Sequence, residues 1–282
     1  MSEMLELPPL RDVIARHGLM ADKSLGQHFL LDLNLTARIA RAAGDVTKGT
    51  TIEIGPGPGG LTRALLAAGA NVIAIERDQR CRAILADLAS AYPGKLTAIE
   101  GDALQIDAGT LGAAPRRIVA NLPYNIGTEL LLRWLKDIAA FESLTLMFQT
   151  EVAQRITAPP DTGAYGRLSV ISQWLCETEL LFHINPKAFV PAPQVQSTVV
   201  RLVPRAAPLA PARRETLERV TAGAFGQRRK MLRQSLLSVI HGTAWTSAEA
   251  LCKTVGVEPT ARAETLTVEQ FCALATALDR GP

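Results

Sequence analysis

Residues 121–124 carry the side chains of this sequence whose chemistry is most specific. Asn121, Leu122, Pro123 and Tyr124 follow the run 117–120, which is typical of a buried strand, and open α/β sheets bind ligands at the carboxyl ends of their strands. The amide oxygen and a backbone carbonyl can accept both hydrogens of an exocyclic amine, and the tyrosine ring can stack on a planar base. In isolation, such a tetrapeptide is more often a proline turn after a strand, so its interpretation depends on the rest of the chain.

A glycine-rich turn lies upstream, between a predicted strand at residues 51–54 and a helical pattern at residues 61–66. Three of its residues satisfy the dinucleotide-binding fingerprint: Gly55, Gly57 and Gly60. A pyrophosphate, however, needs backbone N–H groups at the turn, and Pro56 and Pro58 have none. We therefore expect a nucleoside ligand without phosphates, and a nicotinamide enzyme is the less favoured alternative.

Two carboxylates follow the next two predicted strands. Glu76 comes directly after the strand at residues 72–75 and could hydrogen-bond a ribose diol. Asp102 follows the strand at residues 96–100 and could accept a hydrogen bond from an adenine amine, although an aspartate there is as often a helix N-cap. Together with the glycine turn, Glu76, Asp102 and Asn121 predict one ligand that crosses several strand ends.

The elements that position these residues predict an α/β fold. Further strands are predicted at residues 144–148, 177–184 and 197–203, and three prolines between residues 204 and 211 end regular structure there. The remaining residues have helical periodicity. We expect a Rossmann-like domain with a seven-stranded, mostly parallel sheet over residues 1–203 and a small all-helical domain over residues 204–282.

The positive charge of the chain is concentrated in the predicted helical domain. The formal net charge of the 282 residues is only +3, but residues 204–282 contain 11 Lys and Arg against 7 Asp and Glu. An amphipathic helix is predicted over residues 224–237. It carries four cations that could contact phosphate groups or simply face solvent: Arg228, Arg229, Lys230 and Arg233.

Several classes of protein are disfavoured by what the sequence lacks. The four cysteines and four histidines show neither paired nor metal-ligand spacing, which predicts a metal-free protein of a reducing compartment. The first residues are acidic and proline-containing, unlike a signal peptide, and no apolar run has membrane-spanning length. We expect a cytoplasmic protein that does not bind membranes.

In combination, these motifs resemble those of S-adenosylmethionine-dependent methyltransferases, and within them the ribosomal small-subunit RNA adenine dimethyltransferases. The resemblance extends over nearly the whole chain. It rests on residues 23–30, 55–60, 76–78, 101–104, 121–126, 164–170 and 189–197. One departure is His28, where the family usually has Asn, and histidine still offers one donor and one acceptor.

The resemblance implies a class I methyltransferase domain and a role for each motif. S-adenosylmethionine would be held by Gln27, His28, Leu30, Gly55, Gly57, Glu76, Asp102 and Asn121. Methyl transfer would give N6,N6-dimethyladenosine at two adjacent adenosines near the 3′ end of the RNA of the small ribosomal subunit. The base would be held by Asn121, Leu122, Pro123 and Tyr124, with Phe189 stacked on its other face. The tail cations would dock a monomeric enzyme on the subunit.

Four other interpretations stay open. A large-subunit RNA adenine dimethyltransferase is the nearest, and residues 165–170 and the tail favour the small subunit. A DNA adenine methyltransferase shares the amine chemistry but normally needs a separate target-recognition domain. A protein glutamine methyltransferase uses a similar motif, with proline at the position of Leu122. A non-catalytic RNA-binding assembly factor could keep the fold, although the intact motif at residues 121–124 argues against it.

Overall fold

The chain folds into two compact units. The computed structural model describes residues 7–22 and 25–282, so Lys23 and Ser24 of the first motif lie outside the described residues. One unit comprises residues 1–153 and 179–204, and the other comprises residues 154–178 and 205–282. The division differs from the expected domains 1–203 and 204–282 because residues 154–178 belong to the helical unit.

The first unit is built on a seven-stranded sheet. Within the described residues the strands are β1 (Phe29–Leu30), β2 (Thr50–Ile54), β3 (Val72–Glu76), β4 (Leu96–Glu100), β5 (Arg116–Asn121), β6 (Ser143–Gln149), β7 (Cys176–Ile184), β8 (Phe189–Val190) and β9 (Ser197–Pro204). The order in the large sheet is β4-β3-β2-β5-β6-β9-β7. The pairs from β4 to β6 are parallel, and β9 runs antiparallel to β6. The prediction of a seven-stranded, mostly parallel sheet is therefore confirmed.

The helices alternate with the parallel strands and then dominate the end of the chain. They are α1 (Leu10–Arg16), α2 (Leu33–Ala42), α3 (Gly60–Ala67), α4 (Arg82–Ala91), α5 (Gly127–Trp134), α6 (Thr150–Thr157), α7 (Arg167–Leu175), α8 (Arg214–Gly226), α9 (Leu232–Ser235), α10 (Leu237–Ile240), α11 (Ala248–Thr254) and α12 (Val268–Arg280). Capping side chains stabilise the first turns of two of these helices. The carboxylate of Asp32 caps α2, and Thr267 and Gln270 form a capping box at α12. Across the described ranges, none of these helices is long and apolar enough to cross a membrane.

The central strands are buried along most of their length. All five residues of β2 are buried, as are four consecutive residues of β5, as expected for parallel strands that helices cover on both faces of the sheet. The chain runs from β2 through β3 to β4 and then returns to place β5 on the other side of β2. Between β2 and β5 the winding of the sheet therefore reverses, which opens a crevice beyond their carboxyl ends.

A second, two-stranded sheet joins two distant motifs. In it β1 pairs antiparallel with β8, with Phe29 opposite Val190 and Leu30 opposite Phe189. Strands of two residues give no periodic signal, so the sequence did not predict this pairing. It holds the loop at residues 25–30 beside the segment that begins at Phe189.

The helical unit has its own aromatic core. The ring of Phe225 lies 5.9 Å from that of Tyr165 and 5.4 Å from that of Phe271, measured between centroids. Tyr165 and Phe271 are completely buried. Since Tyr165 precedes α7, this packing explains why residues 154–178 belong to the helical unit.

The prediction of a single amphipathic helix over residues 224–237 is wrong. The chain leaves α8 at Gly226 and turns before α9 starts at Leu232. Backbone hydrogen bonds to a later segment hold this turn, because Leu232 N–H donates to Ala261 and Arg233 N–H donates to Pro259. These partners are far away in sequence, and local periodicity carries no information about them.

We predict that Gly60→Ala destabilises the first unit. A Cβ at Gly60 would lie 2.4 Å from the carbonyl oxygen of Leu30, a backbone atom that the β1–β8 pairing holds in place. Overpacking of this kind costs about 1–3 kcal/mol, which chemical denaturation will measure. Gly163→Ala is the matched control, since its Cβ would meet no atom within 4 Å. Equal unfolding free energies for the two variants would contradict the close approach at Gly60.

Candidate active site

A cavity of about 1120 Å³, partly continuous with solvent, lies at the carboxyl ends of β2 to β5. The structure brings together there all the residues predicted to bind the cofactor and most of those predicted to bind the base. They are Gln27, His28, Leu30, Gly55, Gly57, Glu76, Asp102, Asn121, Leu122, Pro123 and Tyr124. The parallel strands account for this convergence, because each strand delivers its last residues to the same edge of the sheet.

The backbone N–H groups of the glycine turn, residues 55–59, already donate hydrogen bonds within the protein. Pro56 and Pro58 have no N–H, and the glycines between and beside them already donate inside the protein. The donations run from Gly55 to the Ile75 carbonyl, from Gly57 to Oε2 of Glu76 and from Gly59 to the Pro56 carbonyl, each at 2.9 Å. Residues 55–59 therefore offer no free N–H to a diphosphate, as expected from the two prolines.

Glu76 connects the glycine turn to the end of β3. Its Oε2 accepts from Gly57 N–H at 2.9 Å, and its Oε1 accepts from Asp78 N–H at 2.8 Å. Burial raises the pKa of this carboxyl above its ordinary value, and the two backbone donors oppose that shift. A carboxylate has about four lone-pair positions, so Glu76 can still accept hydrogen bonds from a ligand.

Asp102 partly fulfils the turn role expected of an aspartate after a strand. Its Oδ1 accepts from Leu104 N–H at 2.9 Å, and its Oδ2 lies 3.8 Å from the Arg77 guanidinium. The side chain is 32% exposed. Asp102 thus shapes its own turn while one oxygen stays accessible at the cavity wall.

Asn121 is held in one orientation. Its Nδ2 donates to the backbone carbonyl of His28 at 3.1 Å, which leaves Oδ1 as the acceptor directed elsewhere. This contact uses the main chain of His28, so it does not depend on which side chain stands at that position.

The backbone after β5 leaves one carbonyl for a ligand. The Pro123 carbonyl already accepts from Ile126 N–H at 3.2 Å and from Gly127 N–H at 3.0 Å, at the start of α5. The Leu122 carbonyl accepts no such bond within the described part of the chain. Of the two carbonyls proposed from the sequence as amine acceptors, Leu122 is therefore the better placed. The Tyr124 hydroxyl lies 2.6 Å from Oγ of Ser197, which anchors the ring.

Gln27 positions its loop instead of offering its amide to a ligand. Oε1 accepts from Asp22 N–H at 2.9 Å, and Nε2 donates to Oδ2 of Asp78 at 2.8 Å. Asp78 is a buried anchor that sequence reasoning missed, and the guanidinium of Arg80 together with Gln27 lowers its pKa to about 2. The acidic pattern of residues 76–78 was the available signal.

Glu53 is a second residue that sequence reasoning missed. It lies in β2, lines the cavity and is only 2% exposed. Within the residues described, its Oε2 has no hydrogen-bond partner. Burial raises the pKa of Glu53 to about 8, and the nearby charge of Glu76 adds to the shift while Thr62 opposes it. A carboxylate between Ile52 and Ile54, in a strand predicted to be buried, was the signal for an unusual group.

Phe189 lies outside this cavity. Its ring is 2% exposed and packs in the core of the first unit with Leu30, Ile184 and Val199. In this conformation it presents no face on which a base could stack.

The four tail cations have two different environments. Arg228 donates to Oε2 of Glu264 at 2.7 Å and to the Thr162 carbonyl at 3.0 Å, so its guanidinium is engaged inside the helical unit. The side chains of Arg229, Lys230 and Arg233 are exposed.

No group of three or more His, Cys, Asp or Glu in residues 7–22 and 25–282 could hold a metal ion. The four cysteines are free and buried.

Known proteins resemble this chain along most of its length. Two relatives are named ribosomal RNA small subunit methyltransferase A. The one from Rhodospirillum rubrum is 65% identical over 274 residues, which cover 97% of this chain and 93% of that protein. The one from Paramagnetospirillum magneticum is 66% identical over 277 residues, which cover 98% of this chain and 96% of that protein. A solved dimethyladenosine transferase from Plasmodium falciparum has the same fold, with a TM-score of 0.76 at 22% identity over 90% of this chain and 98% of the other. The 23S rRNA methyltransferase ErmE has a TM-score of 0.68 at 29% identity, covering 89% and 99%.

These structures place the first unit among the Rossmann-like methyltransferase folds. The sequence profile described as "Ribosomal RNA adenine dimethylase" matches residues 18–280, a range that includes every residue lining the cavity. The chain therefore belongs to the ribosomal RNA adenine dimethylase family.

Proposed function

We propose that the cavity binds S-adenosylmethionine and that the protein dimethylates N6 of adenosines in small-subunit ribosomal RNA. The observation that carries this proposal is the fixed amide of Asn121 at the end of β5, whose oxygen is free to accept a hydrogen from an amine. Relatives with 65% and 66% identity are named as methyltransferases of the small ribosomal subunit RNA, which supports the choice of substrate.

The charge of the cavity fits a cationic cofactor. Glu53, Glu76 and Asp102 line it, and the only fixed positive charge on its walls in the described residues is Arg77. S-adenosylmethionine brings a sulfonium and an ammonium against one carboxylate. The buried Oε2 of Glu53, which has no partner in the described chain, suits a cationic group, because an unpaired buried carboxylate is costly. A diphosphate would meet like charge, and residues 55–59 would offer it no free N–H.

Two of the predicted contacts keep a free acceptor for the cofactor. Glu76 keeps lone pairs for the ribose hydroxyls, and Asp102 keeps an oxygen for the adenine amine. The loop that contains Gln27, His28 and Leu30 closes the cavity beside the glycine turn. When bound, S-adenosylmethionine supplies an electrophilic methyl group.

The residues at and after the end of β5 would orient the amine of the target adenine. The N6 amine is a poor nucleophile because its lone pair is delocalised into the ring. If Oδ1 of Asn121 accepts one hydrogen and the Leu122 carbonyl accepts the other, the nitrogen is drawn toward tetrahedral geometry and its lone pair points at the methyl group. This is catalysis by positioning and preorganised dipoles. As the N–C bond forms, the S–C bond of the cofactor would break and the nitrogen would lose one proton to water. One hydrogen is then left, so the second transfer needs only one acceptor and room for the new methyl group.

The target base must leave its stack to reach these groups. Single-stranded or loop RNA is therefore the easier substrate, and the ring of Tyr124 offers a stacking face at the cavity. The exposed cations Arg229, Lys230 and Arg233 of the helical unit would contact the phosphate backbone, which orients an RNA without reading its bases. Because ribosomal RNA is the substrate, we place the reaction in the cytoplasm.

The nearest alternative is a large-subunit RNA methyltransferase, since ErmE, a 23S rRNA methyltransferase, shares the fold at 29% identity. The much higher identity of the small-subunit relatives favours the main proposal. A non-catalytic assembly factor would bind the cofactor or the subunit without transferring a methyl group.

The decisive experiment incubates the protein with labelled S-adenosylmethionine and undermethylated small or large ribosomal subunits, followed by nucleoside analysis. We expect N6,N6-dimethyladenosine from small subunits only. In the same assay Asn121→Ala should lower kcat about 100-fold to 1000-fold, the typical effect of removing one preorganised group. The exposed Asn34 of α2 provides the control variant Asn34→Ala. Near-normal dimethylation by Asn121→Ala would contradict the proposed role of the amide.

The buried carboxyl of Glu53 predicts a pH-dependent stability. Its pKa is raised from 4.5 to about 8 in the folded protein, so its favourable contribution is complete below pH 4.5 and is lost as pH rises to about 8. Glu53→Gln removes this loss. We therefore expect the unfolding free energy of the variant, relative to the unsubstituted protein, to increase through this pH window. The exposed Glu129 of α5 provides the control variant Glu129→Gln, and a difference independent of pH for Glu53→Gln would contradict the prediction.

The tail cations predict a change in salt dependence. Replacing Arg229, Lys230 and Arg233 with Gln should lower the slope of log affinity for small subunits against log salt by roughly 0.7 to 0.9 for each phosphate interaction that the substitutions remove. Arg228→Gln is the matched control, because its guanidinium is bonded within the helical unit and its replacement should reduce thermal stability instead. An unchanged slope in the triple variant would show that these three side chains face solvent and do not contact phosphate groups.

A further inference from the structure

The carboxylate of Asp78 uses its two oxygens for different tasks. Oδ1 accepts from the backbone N–H of Arg80 at 3.1 Å and from Nε of Arg80 at 2.9 Å, and it caps the short 3₁₀ helix Gln79–Cys81. Oδ2 accepts from Nη2 of Arg80 at 2.6 Å and from Nε2 of Gln27 at 2.8 Å. The first oxygen therefore serves the local turn, whereas the second also holds a residue 51 positions away in the chain.

The amide of Gln27 has one orientation. Its Oε1 accepts from the backbone N–H of Asp22 at 2.9 Å, so an amide rotated by half a turn would bring two donors together there. Nε2 must then point at Asp78, which is only 7% exposed. A backbone donor and a buried carboxylate thus fix the Gln27 side chain from two sides.

The next residue along the chain orients the amide of Asn121. The backbone carbonyl of His28 accepts from Nδ2 of Asn121 at 3.1 Å. Because a peptide group is planar, the direction of its carbonyl depends on the torsion angles on both sides of it. On one side, the chain is held by the pairing of β1 with β8 and by the bond between Nδ1 of His28 and the Pro191 carbonyl. On the other side, it is held by the side chain of Gln27.

The side chain of Asp78 lies apart from the cavity, and its backbone serves a different group. Its N–H donates to Oε1 of Glu76 at 2.8 Å, and this donor is present whichever side chain stands at position 78. Among the described residues, Asp78 is not part of the cavity lining. A change of this side chain alone therefore loosens the loop before β1 and keeps the backbone contact to Glu76.

We propose that Asp78 is a positioning residue for methyl transfer and fixes the direction of the Asn121 amide. It acts through the side chain of Gln27 and the backbone carbonyl of His28. Two hydrogen bonds and the short stretch of chain between them connect the buried carboxylate to the amide. This role rests on the proposed function, because the direction of the amide matters for turnover only if its oxygen accepts a hydrogen from the adenine amine.

A reciprocal exchange tests the bond between Asp78 and Gln27. Asp78→Asn leaves one side-chain oxygen for donors on two sides, and Gln27→Glu brings a second carboxylate to the first. The double variant Asp78→Asn/Gln27→Glu restores the bond with its direction reversed. In the double variant the new carboxylate can still accept from Asp22 N–H, and it stays beside Arg80, whose Nη2 lies 3.4 Å from Oε1 of Gln27.

We expect kcat for methyl transfer to undermethylated small subunits to fall about 10-fold to 100-fold in each single variant, the range for loss of one hydrogen bond to a charged group. The double variant should return close to the unsubstituted protein. KM for S-adenosylmethionine should change less than kcat, since the contact between Asp78 N–H and Glu76 is kept.

The same variants in the Asn121→Ala background separate positioning from stability. If Asp78 acts through the amide, Asp78→Asn should lower kcat of Asn121→Ala little further, because no amide is left to orient. A loss of folded protein would lower kcat by the same factor in both backgrounds. If Asp78→Asn does not fold, Gln27→Glu carries the same comparison, because Gln27 is only partly buried.

Asp107→Asn is the matched control. Asp107 caps another 3₁₀ helix of the first unit, Ala108–Thr110, where its Oδ1 accepts from Gly109 N–H at 3.0 Å. Asparagine caps a helix about as well as aspartate. Asp107→Asn should therefore leave kcat, KM and the melting temperature close to those of the unsubstituted protein.

The outcomes are distinct. Unchanged kcat in both single variants, or no recovery in the double variant, would overturn the role of Asp78. An equal loss from Asp78→Asn with and without the Asn121 amide would also overturn it, and in all three cases the proposed function would stand. Absence of methyl transfer by the unsubstituted protein to any ribosomal subunit would contradict the proposed function itself, and with it the role of Asp78.

Discussion

The hydrogen bond from Gly57 N–H to the carboxylate of Glu76 is the constraint on which the site depends. It ties the turn after β2 to the end of β3, and it places a negative charge where dinucleotide-binding folds keep a free donor. With prolines at positions 56 and 58, residues 55–59 have no donor left for a phosphate. The same short segment that resembles a dinucleotide fingerprint thus fits the proposed ligand without phosphates, and the carboxylates around it suit a positive one.

In the proposed function, groups on β5, on the other side of β2, would bind the reacting amine. Asn121 is oriented by the backbone carbonyl of His28, and this hydrogen bond joins the loop before β1 to the end of β5. The pairing of β1 with β8 holds that loop in place and buries Phe189 at the same time. One small sheet therefore sets the direction of the amide and keeps Phe189 in the core.

The cavity of the first unit and the exposed turn of the helical unit present charges of opposite sign. The cavity of the first unit is lined by Glu53, Glu76 and Asp102, which suits a cationic cofactor and would repel a phosphate backbone. The exposed cations Arg229, Lys230 and Arg233 lie in the helical unit, where phosphate contacts need no base reading. Burial makes Glu53 the most perturbed of these carboxyls, with a pKa of about 8, so a bound cation would favour its ionised form.

The sequence by itself determined the sheet and its ligand edge. Apolar runs mark the parallel strands, and a residue that follows such a strand must lie at the carboxyl edge, so Glu76, Asp102 and Asn121 could be placed together without coordinates. Tertiary structure alone decided which groups are free. The Pro123 carbonyl is used by α5, Arg228 is bonded to Glu264, and Phe189 is covered through its pairing with Leu30. The predicted helix at residues 224–237 failed for the same reason, because hydrogen bonds to Pro259 and Ala261 replace it with a turn. Periodicity reports only neighbours along the chain, whereas the availability of a donor, an acceptor or a ring face depends on partners that folding brings from far away.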